Sequence, residues 1–238
     1  MIANINDKLS KFKLLNSDIE YKVKKYVGDI IIRNITKNDI PKIVDLQKDS
    51  FPDMAAYGMI WPSAFLQSHM NIFPEGQLCV EVEGKIVGSA SSLIVSLRSD
   101  HADHTWDDIT GHGLFTNHDP NGDSLYGADI SIHPEFRNKS IGTMLYNVRK
   151  DMTIRLNLRR MVAGGRLYNY HRYAGVMSAQ EYAKKVVEGK LSDPVLSFQL
   201  KNGFKFIKVL SDYLYDKRSL NYASFIEWLN PHYQILSN

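Results

Sequence analysis

Asp129-Ile130-Ser131-Ile132-His133-Pro134-Glu135-Phe136-Arg137-Asn138-Lys139-Ser140-Ile141-Gly142-Thr143-Met144-Leu145 is the stretch that decides how this chain folds. It opens on the end of an apolar strand expected over Ser124–Ile132, stopped by a proline that has no N–H to give to a ladder. A short basic loop follows. From Ile141 onward Ile141, Leu145, Val148, Met152 and Leu156 recur at helical spacing over four turns. The start of such a helix carries backbone N–H groups without internal partners and the positive end of the dipole. A pyrophosphate bound there gains from both. Arg137 and Lys139 add two cations beside it, and Gly142 allows backbone and ligand to approach closely. Asn138 is the non-glycine residue most tolerant of a left-handed backbone, so a tight anion-wrapping turn is feasible.

On either side the elements alternate. Upstream, residues 30–35 read as a strand by their β-branched content, and a helix follows through Ile43, Val44 and Leu46, with Thr36 or Asn38 as caps and Pro41 in its first turns. Residues 78–83 and 85–97 around Gly84 read as a hairpin. Downstream, residues 160–163 form a short strand ending at Gly164-Gly165. Residues 194–202 form a helix stopped by Gly203, and 204–210 and 222–228 form strands. This order implies a mixed α/β sheet with helices on both faces. Residues 1–28, with Lys8, Lys11, Lys13, Lys22, Lys24 and Lys25 among scattered apolar residues, read as an N-terminal helical extension ahead of a domain over 29–238.

Composition bounds the function. A chain of 238 residues, 44% hydrophobic and 23% charged, can bury a sizeable core without disulfides or a structural metal. Its one cysteine, Cys79, excludes a disulfide framework and a four-cysteine zinc site, and fits a reducing compartment. No apolar run approaches the roughly 20 residues of a spanning helix. The start Met1-Ile2-Ala3-Asn4-Ile5-Asn6 lacks a signal-peptide pattern, so a cytoplasmic protein without membrane contact is expected. A net charge of +3 is too small to argue for nucleic acid, and the interleaved aromatics of a nucleic-acid module are missing. An anionic small ligand suits the charge equally well.

The segment Arg137-Asn138-Lys139-Ser140-Ile141-Gly142 resembles the Arg/Gln-x-x-Gly-x-Gly/Ala signature of the GNAT superfamily of N-acetyltransferases, with Ser140 in place of the first glycine. Asn202-Gly203-Phe204, closing a later helix, strengthens the likeness. The resemblance implies a mixed, mostly antiparallel central sheet with helices on both faces. It further implies acetyl-CoA as cosubstrate and a primary amine as acceptor. By the same resemblance, the backbone of Ile130, Ser131 and Ile132 would hold the pantetheine arm like an added strand. Arg137, Asn138, Lys139, Ser140, Ile141, Gly142 and Thr143 would hold the pyrophosphate. A narrower likeness runs through most of residues 29–231, in segments such as Phe73-Pro74-Glu75-Gly76-Gln77, His104-Thr105-Trp106, Asn117-His118-Asp119-Pro120 and Asp193-Pro194-Val195-Leu196-Ser197-Phe198-Gln199-Leu200. It is to a GNAT subfamily often fused to a carbon–nitrogen hydrolase. With the sequence ending at Asn238, a free-standing or truncated acetyltransferase is expected. The acceptor is not identified, and oligomeric state, a homodimer included, is left open.

Acetyl transfer to an amine needs a base for the amine proton, dipoles for the oxyanion and, in many enzymes, an acid for the thiolate. Many GNAT enzymes use a tyrosine four residues before the Gly-Phe pair as that acid. Here the position is Gln199, which cannot serve. Tyr168, Tyr170, His171 and Tyr173 lie just beyond Gly164-Gly165, and histidine is the residue type suited to a general base. Alternatively they pack an insertion. Asp129 flanks the expected thioester and is either a base or a structural acceptor. The catalytic candidates are therefore His171, Asp129, Tyr170 and Tyr173. The insertion 98–123 carries His101, His104, His112 and His118 among several aspartates; without a recognised ligand spacing it reads as a substrate-covering loop, and no metal is expected. A non-catalytic acyl-CoA sensor or assembly domain is the competing class.

Overall fold

The computed structural model describes residues 20–24, 29–97 and 101–235. Strands β1 (Glu20–Lys24), β2 (Asp29–Asn34), β3 (Gln77–Val82), β4 (Lys85–Val95), β5 (Ser124–Ile132), β6 (Arg160–Arg166), β7 (Lys205–Leu210) and β8 (Ala223–Leu229) form one sheet ordered β1-β2-β3-β4-β5-β6-β8-β7. Every neighbouring pair is antiparallel except β5 and β6. The expected mixed, mostly antiparallel sheet is what forms. Within residues 1–28, Glu20–Lys24 adds an edge strand to β2, so this part is extended and not helical. The rest of the expected helical extension lies outside the described residues.

The helices are α1 (Ile40–Ser50), α2 (Pro52–Ala55), α3 (Ser63–Ile72), α4 (Trp106–Thr110), α5 (Ile141–Arg155), α6 (Ala179–Val187) and α7 (Leu196–Lys201). Strand residues alternate between faces, and β3 shows the result: Leu78 and Val80 pack into the cluster with α5, α6 and α7, while Cys79 packs with Ile40, Ile43 and Leu46 of α1 and Leu66 of α3. On α5 the side chains of Ile141, Leu145, Val148 and Met152 are buried, each worth about 1.5–3 kcal/mol of transfer free energy. A further cluster, with Leu93, Tyr126, Phe115, Tyr213 and Phe225 at its centre, seals the 101–123 insertion onto the α1 side of the sheet.

Two irregularities open the sheet where function is expected. The register of β4 on β5 shifts between Ser91 and Ser92, so Ala128 is extruded as a bulge. The parallel pairing of β5 with β6 runs only from Ser124↔Arg160 to Gly127↔Ala163. Beyond it β6 stays with β8, through Gly164↔Phe225 to Arg166↔Ala223, while β5 stays with β4. Between Ala128–Ile132 and Gly164–Arg166 the two strands therefore part, leaving strand edges without a sheet partner.

Candidate acyl-transfer site

A cavity of about 1320 Å³ occupies this parting and extends to both faces of the sheet. On one face its wall is built from the 134–143 loop, α5 and α7; on the other from Met54, Met59, Trp61, Phe65, Trp106 and Tyr213. The 101–123 insertion supplies Thr105, Trp106, Asp107 and His112 to the wall, as a covering loop would. Thr105 caps α4 by accepting from Asp108 N–H at 3.0 Å, and its own N–H donates to the Asp108 carboxylate at 3.1 Å. Phe115 is turned away from the cavity and stacks on His69 at 3.6 Å between ring centres. Among the described residues, no three His, Cys, Asp or Glu side chains converge as metal ligands would.

The loop before α5 wraps as its residues suggest. Asn138 and Ser140 are both left-handed, at φ 61° and 65°. Ser140 thus stands where a glycine would be unstrained, which accounts physically for a glycine in the resembling signature. Met144 is the first residue of α5 to find a helical partner, donating to the Ser140 carbonyl at 3.0 Å. The N–H groups of Ile141, Gly142 and Thr143 are left without such partners, as an anion requires. Of the residues expected to hold the ligand, all but Ser131 and Lys139 line the cavity. Lys139 instead lies over the Phe136 ring at 4.6 Å, and the buried Ser131 hydroxyl donates to Asp129 at 2.8 Å. Arg137 lines the cavity while its guanidinium donates to the Ser50 carbonyl at 2.7 Å, capping the end of α1. Gly142 has a packing reason beyond ligand approach: a Cβ there would meet the Phe198 ring of α7 at 2.7 Å.

Asp129 is the catalytic candidate that the structure brings to the cavity. Burial pushes its carboxyl above the ordinary value, opposed by the Ser131 hydrogen bond and by Arg149 and Arg166. Arg149, fully buried on α5, donates to the carbonyls of Ser91 (2.7 Å) and Asp129, both freed by the bulge. Burial lowers its pKa to about 10. The other three candidates are not brought there. His171 is exposed and its Nδ1 bonds the Arg218 carbonyl at 2.9 Å. Tyr170 and Tyr173 pack against Tyr182 of α6, with Tyr170 donating to the Met177 carbonyl at 3.2 Å. The reason is the turn after β6, which Asp193 ties down by accepting from Asn169 N–H and the Tyr182 hydroxyl, both at 2.9 Å. Tyr168 alone of that group reaches the wall.

Two tyrosines that the sequence does not single out are at the parting. Tyr213, from the β7–β8 connection, lies over Gly164, and Gln199 of α7 lies over Gly165 on the opposite face. A Cβ at either glycine would collide with the side chain above it. Gln199 is buried, and its carbonyl oxygen accepts from the Ser224 hydroxyl at 3.3 Å. Tyr146 of α5 interacts with the Gln199 side chain and lines the cavity, with burial raising its pKa. The available signal was the glycine pair, because adjacent glycines inside a strand mark a close approach of other groups.

A parted parallel pair, with a helix N-terminus feeding the gap and a cavity through it, combines an anion site with an adjoining free strand edge. The model of the GNAT acetyltransferase family matches residues 40–174, more than half of the chain, and the chain belongs to that family. The chain is 47% identical over 210 residues to the probable hydrolase YhcX of Bacillus subtilis, covering 88% of this chain but 40% of YhcX. It is 42% identical over 205 residues to the uncharacterized N-acetyltransferase YkwB of the same organism, covering 86% of this chain and 91% of YkwB. Among solved structures, the GphF GNAT-like decarboxylase in complex with isobutyryl-CoA superposes with a TM-score of 0.68 at 20% identity, over 84% of this chain and 98% of that one; this shows the shared fold. The chain is thus an acyltransferase of the GNAT class. No helix among the described residues is long and apolar enough to cross a membrane.

Proposed function

We propose that the protein transfers an acetyl group from acetyl-CoA to a primary amine. The observation that carries this reading is the parting of β5 from β6 after Gly127↔Ala163, continuous with the unpartnered N–H groups at the start of α5. The pyrophosphate would sit on residues 137–143, and the pantetheine arm would run along the free edge of Ala128–Ile132. The thioester would then lie in the gap between Asp129 and Gly164. The amine enters from the face bearing Trp61, Phe65, Trp106 and Tyr213, whose rings exclude water from its alkyl part. Asp129 accepts a hydrogen bond from the amine and anchors it. With Gln199 in the usual tyrosine's place, the Tyr146 phenol beside it is the acid that protonates the departing thiolate.

Support for the thioester comes from the family and from the acyl-CoA bound by GphF, a protein of the same fold. The name of YkwB supports nitrogen as the acceptor atom. The test combines melting temperature with thiol release. Acetyl-CoA and CoA should both raise the melting temperature, by about 2.7 kcal/mol of stabilisation at a hundredfold excess over Kd. Thiol release from acetyl-CoA should then depend on an added amine, with putrescine, spermidine, tyramine and lysine as probes. No shift, or release that ignores the amine, would refute the reading.

A further inference from the structure

On the acceptor face of the gap, three side chains from three different segments form one hydrogen-bonded chain. The Tyr213 hydroxyl, in the cavity wall, lies 2.8 Å from the Tyr126 hydroxyl of β5. The Tyr126 hydroxyl lies 3.0 Å from Nε2 of His104 in the insertion. His104 Nδ1 lies 3.1 Å from the Ala102 carbonyl. A carbonyl can only accept, so Nδ1 carries the proton and Nε2 is bare. That fixes the polarity of the whole chain. Tyr126 must donate to Nε2, Tyr213 must donate to Tyr126, and the lone pairs of Tyr213 are left for the cavity.

We infer that Tyr213, Tyr126 and His104 are a proton relay that takes the proton of the acceptor amine and delivers it to a base outside the cavity. As the carbon–nitrogen bond to the thioester carbonyl forms, an N–H bond of the neutral amine breaks. Its proton goes to the Tyr213 oxygen, the Tyr213 proton to the Tyr126 oxygen, and the Tyr126 proton to His104 Nε2. His104 ends as an imidazolium. The electron pair of the carbon–sulfur bond leaves with sulfur, which takes its proton from Tyr146; the cycle closes when the imidazolium releases its proton to solvent and the Tyr146 phenolate takes one up. Tyr213 and Tyr126 each regain the proton they pass on, so neither is required to ionise outright. The Gly164 backbone, which Tyr213 lies against, favours transient negative charge on both hydroxyl oxygens. Tyr213 is the member that touches substrate; Tyr126 and His104 act through it.

The surroundings suit a terminal base that is neutral at rest. Burial lowers the His104 pKa below its ordinary 6.5. The charged groups facing the ring are Asp103 beside it, Asp108 on α4 and Lys208 on β7, with Lys208 bonded to Asp103 at 2.8 Å. The edge of Phe225 on β8 covers it at 5.4 Å between ring centres. The two aspartates favour the imidazolium once it forms. The chain offers no comparable route through His171, which faces solvent.

The inference rests on the acetyl-transfer reading but can fail separately from it. Tyr213→Phe, Tyr126→Phe and His104→Gln should each lower kcat about 100- to 10,000-fold with the amine that the wild type acetylates best among putrescine, spermidine, tyramine and lysine. The acid limb of the wild-type rate, set by His104 below about pH 6.5, should vanish in all three. The melting-temperature rise with acetyl-CoA should persist, which shows that each variant folds and binds. Asp129→Asn should instead act mainly on the KM of the amine. Nitrogen-15 spectra of the wild type should show His104 as the Nδ1–H tautomer. An Nε2–H tautomer, or any one of the three variants keeping near-full kcat and the limb, overturns the relay. Absence of any amine-dependent turnover in the wild type refutes the acetyl-transfer reading and the relay with it, and in that case the tautomer alone will still match.

Discussion

At the scale of single residues, Ser140 carries the clearest cost of the site. It is left-handed at φ 65° at the N-cap of α5 and bonds no backbone group there with its side chain. A non-glycine residue in that region costs about 1–2 kcal/mol, part of which a glycine returns as extra freedom of the unfolded chain. Ser140→Gly should therefore raise stability by up to about 1 kcal/mol, or about 2–4 °C in melting temperature for a chain of this size. A fall on thermal melting would show that the serine side chain has a use the fold does not reveal. The acid role is just as local. Tyr146→Phe should lower kcat at least tenfold, whereas Gln199→Ala, lacking an acid to lose, should stay within about tenfold, or 1.4 kcal/mol of barrier. Steady-state rates with a saturating amine decide between them, and the reverse ranking would return the acid role to α7.

At the scale of elements, the parting of β5 and β6 depends on strands with almost no side chain at the gap. Gly164→Ala should drive a methyl into the Tyr213 phenol and Gly165→Ala one into Gln199, each costing about 1–3 kcal/mol as overpacking. Gly175→Ala, with open space around the new methyl, should be neutral or slightly stabilising. Equal melting temperatures for all three would contradict the packing described. These elements also show what the sequence makes legible. Strand β5 and the helical repeat from Ile141 depend on local pattern, so their place in the fold is readable from periodicity alone. The left-handed Asn138 in the loop is readable instead from its residue type. Helix α6 had a readable capping box, Ser178 with Glu181, but its lysines and short length hid it among loop residues. Tyr213 meets Tyr126 across 87 positions of sequence, and no local pattern records such a pairing. Of the two readings open for the tyrosines near His171, the structure shows the packing one: they are close in sequence to the gap, yet Asp193 folds their turn back onto α6.

At the scale of the whole molecule, three histidines are held neutral by burial, and stability should follow them. His69 is fully buried between Trp61 and Phe115, and desolvation lowers its pKa from 6.5 to about 4. His104 and His118 shift in the same direction. Below pH 6.5 the unfolded chain binds protons that the folded one refuses, so this contribution is complete above pH 6.5 and lost as pH falls toward about 4. For His69 alone the loss is on the order of 3 kcal/mol. A His69→Gln variant, which keeps a donor for the Gly113 carbonyl, should lose less melting temperature between about pH 7 and pH 4.5 than the wild type. Parallel losses in the two proteins would mean that His69 takes its proton in the folded state.

The central claim is that the gap between β5 and β6 holds the thioester, and a crystal structure with CoA bound tests it most directly. The account predicts density for the pyrophosphate against the N–H groups of residues 138–143 and for the pantetheine along the free edge of Ala128–Ile132. The sulfur should lie between Asp129 and Gly164, within reach of the Tyr146 hydroxyl. Pyrophosphate density away from the start of α5, or an arm that does not enter the gap, would contradict it.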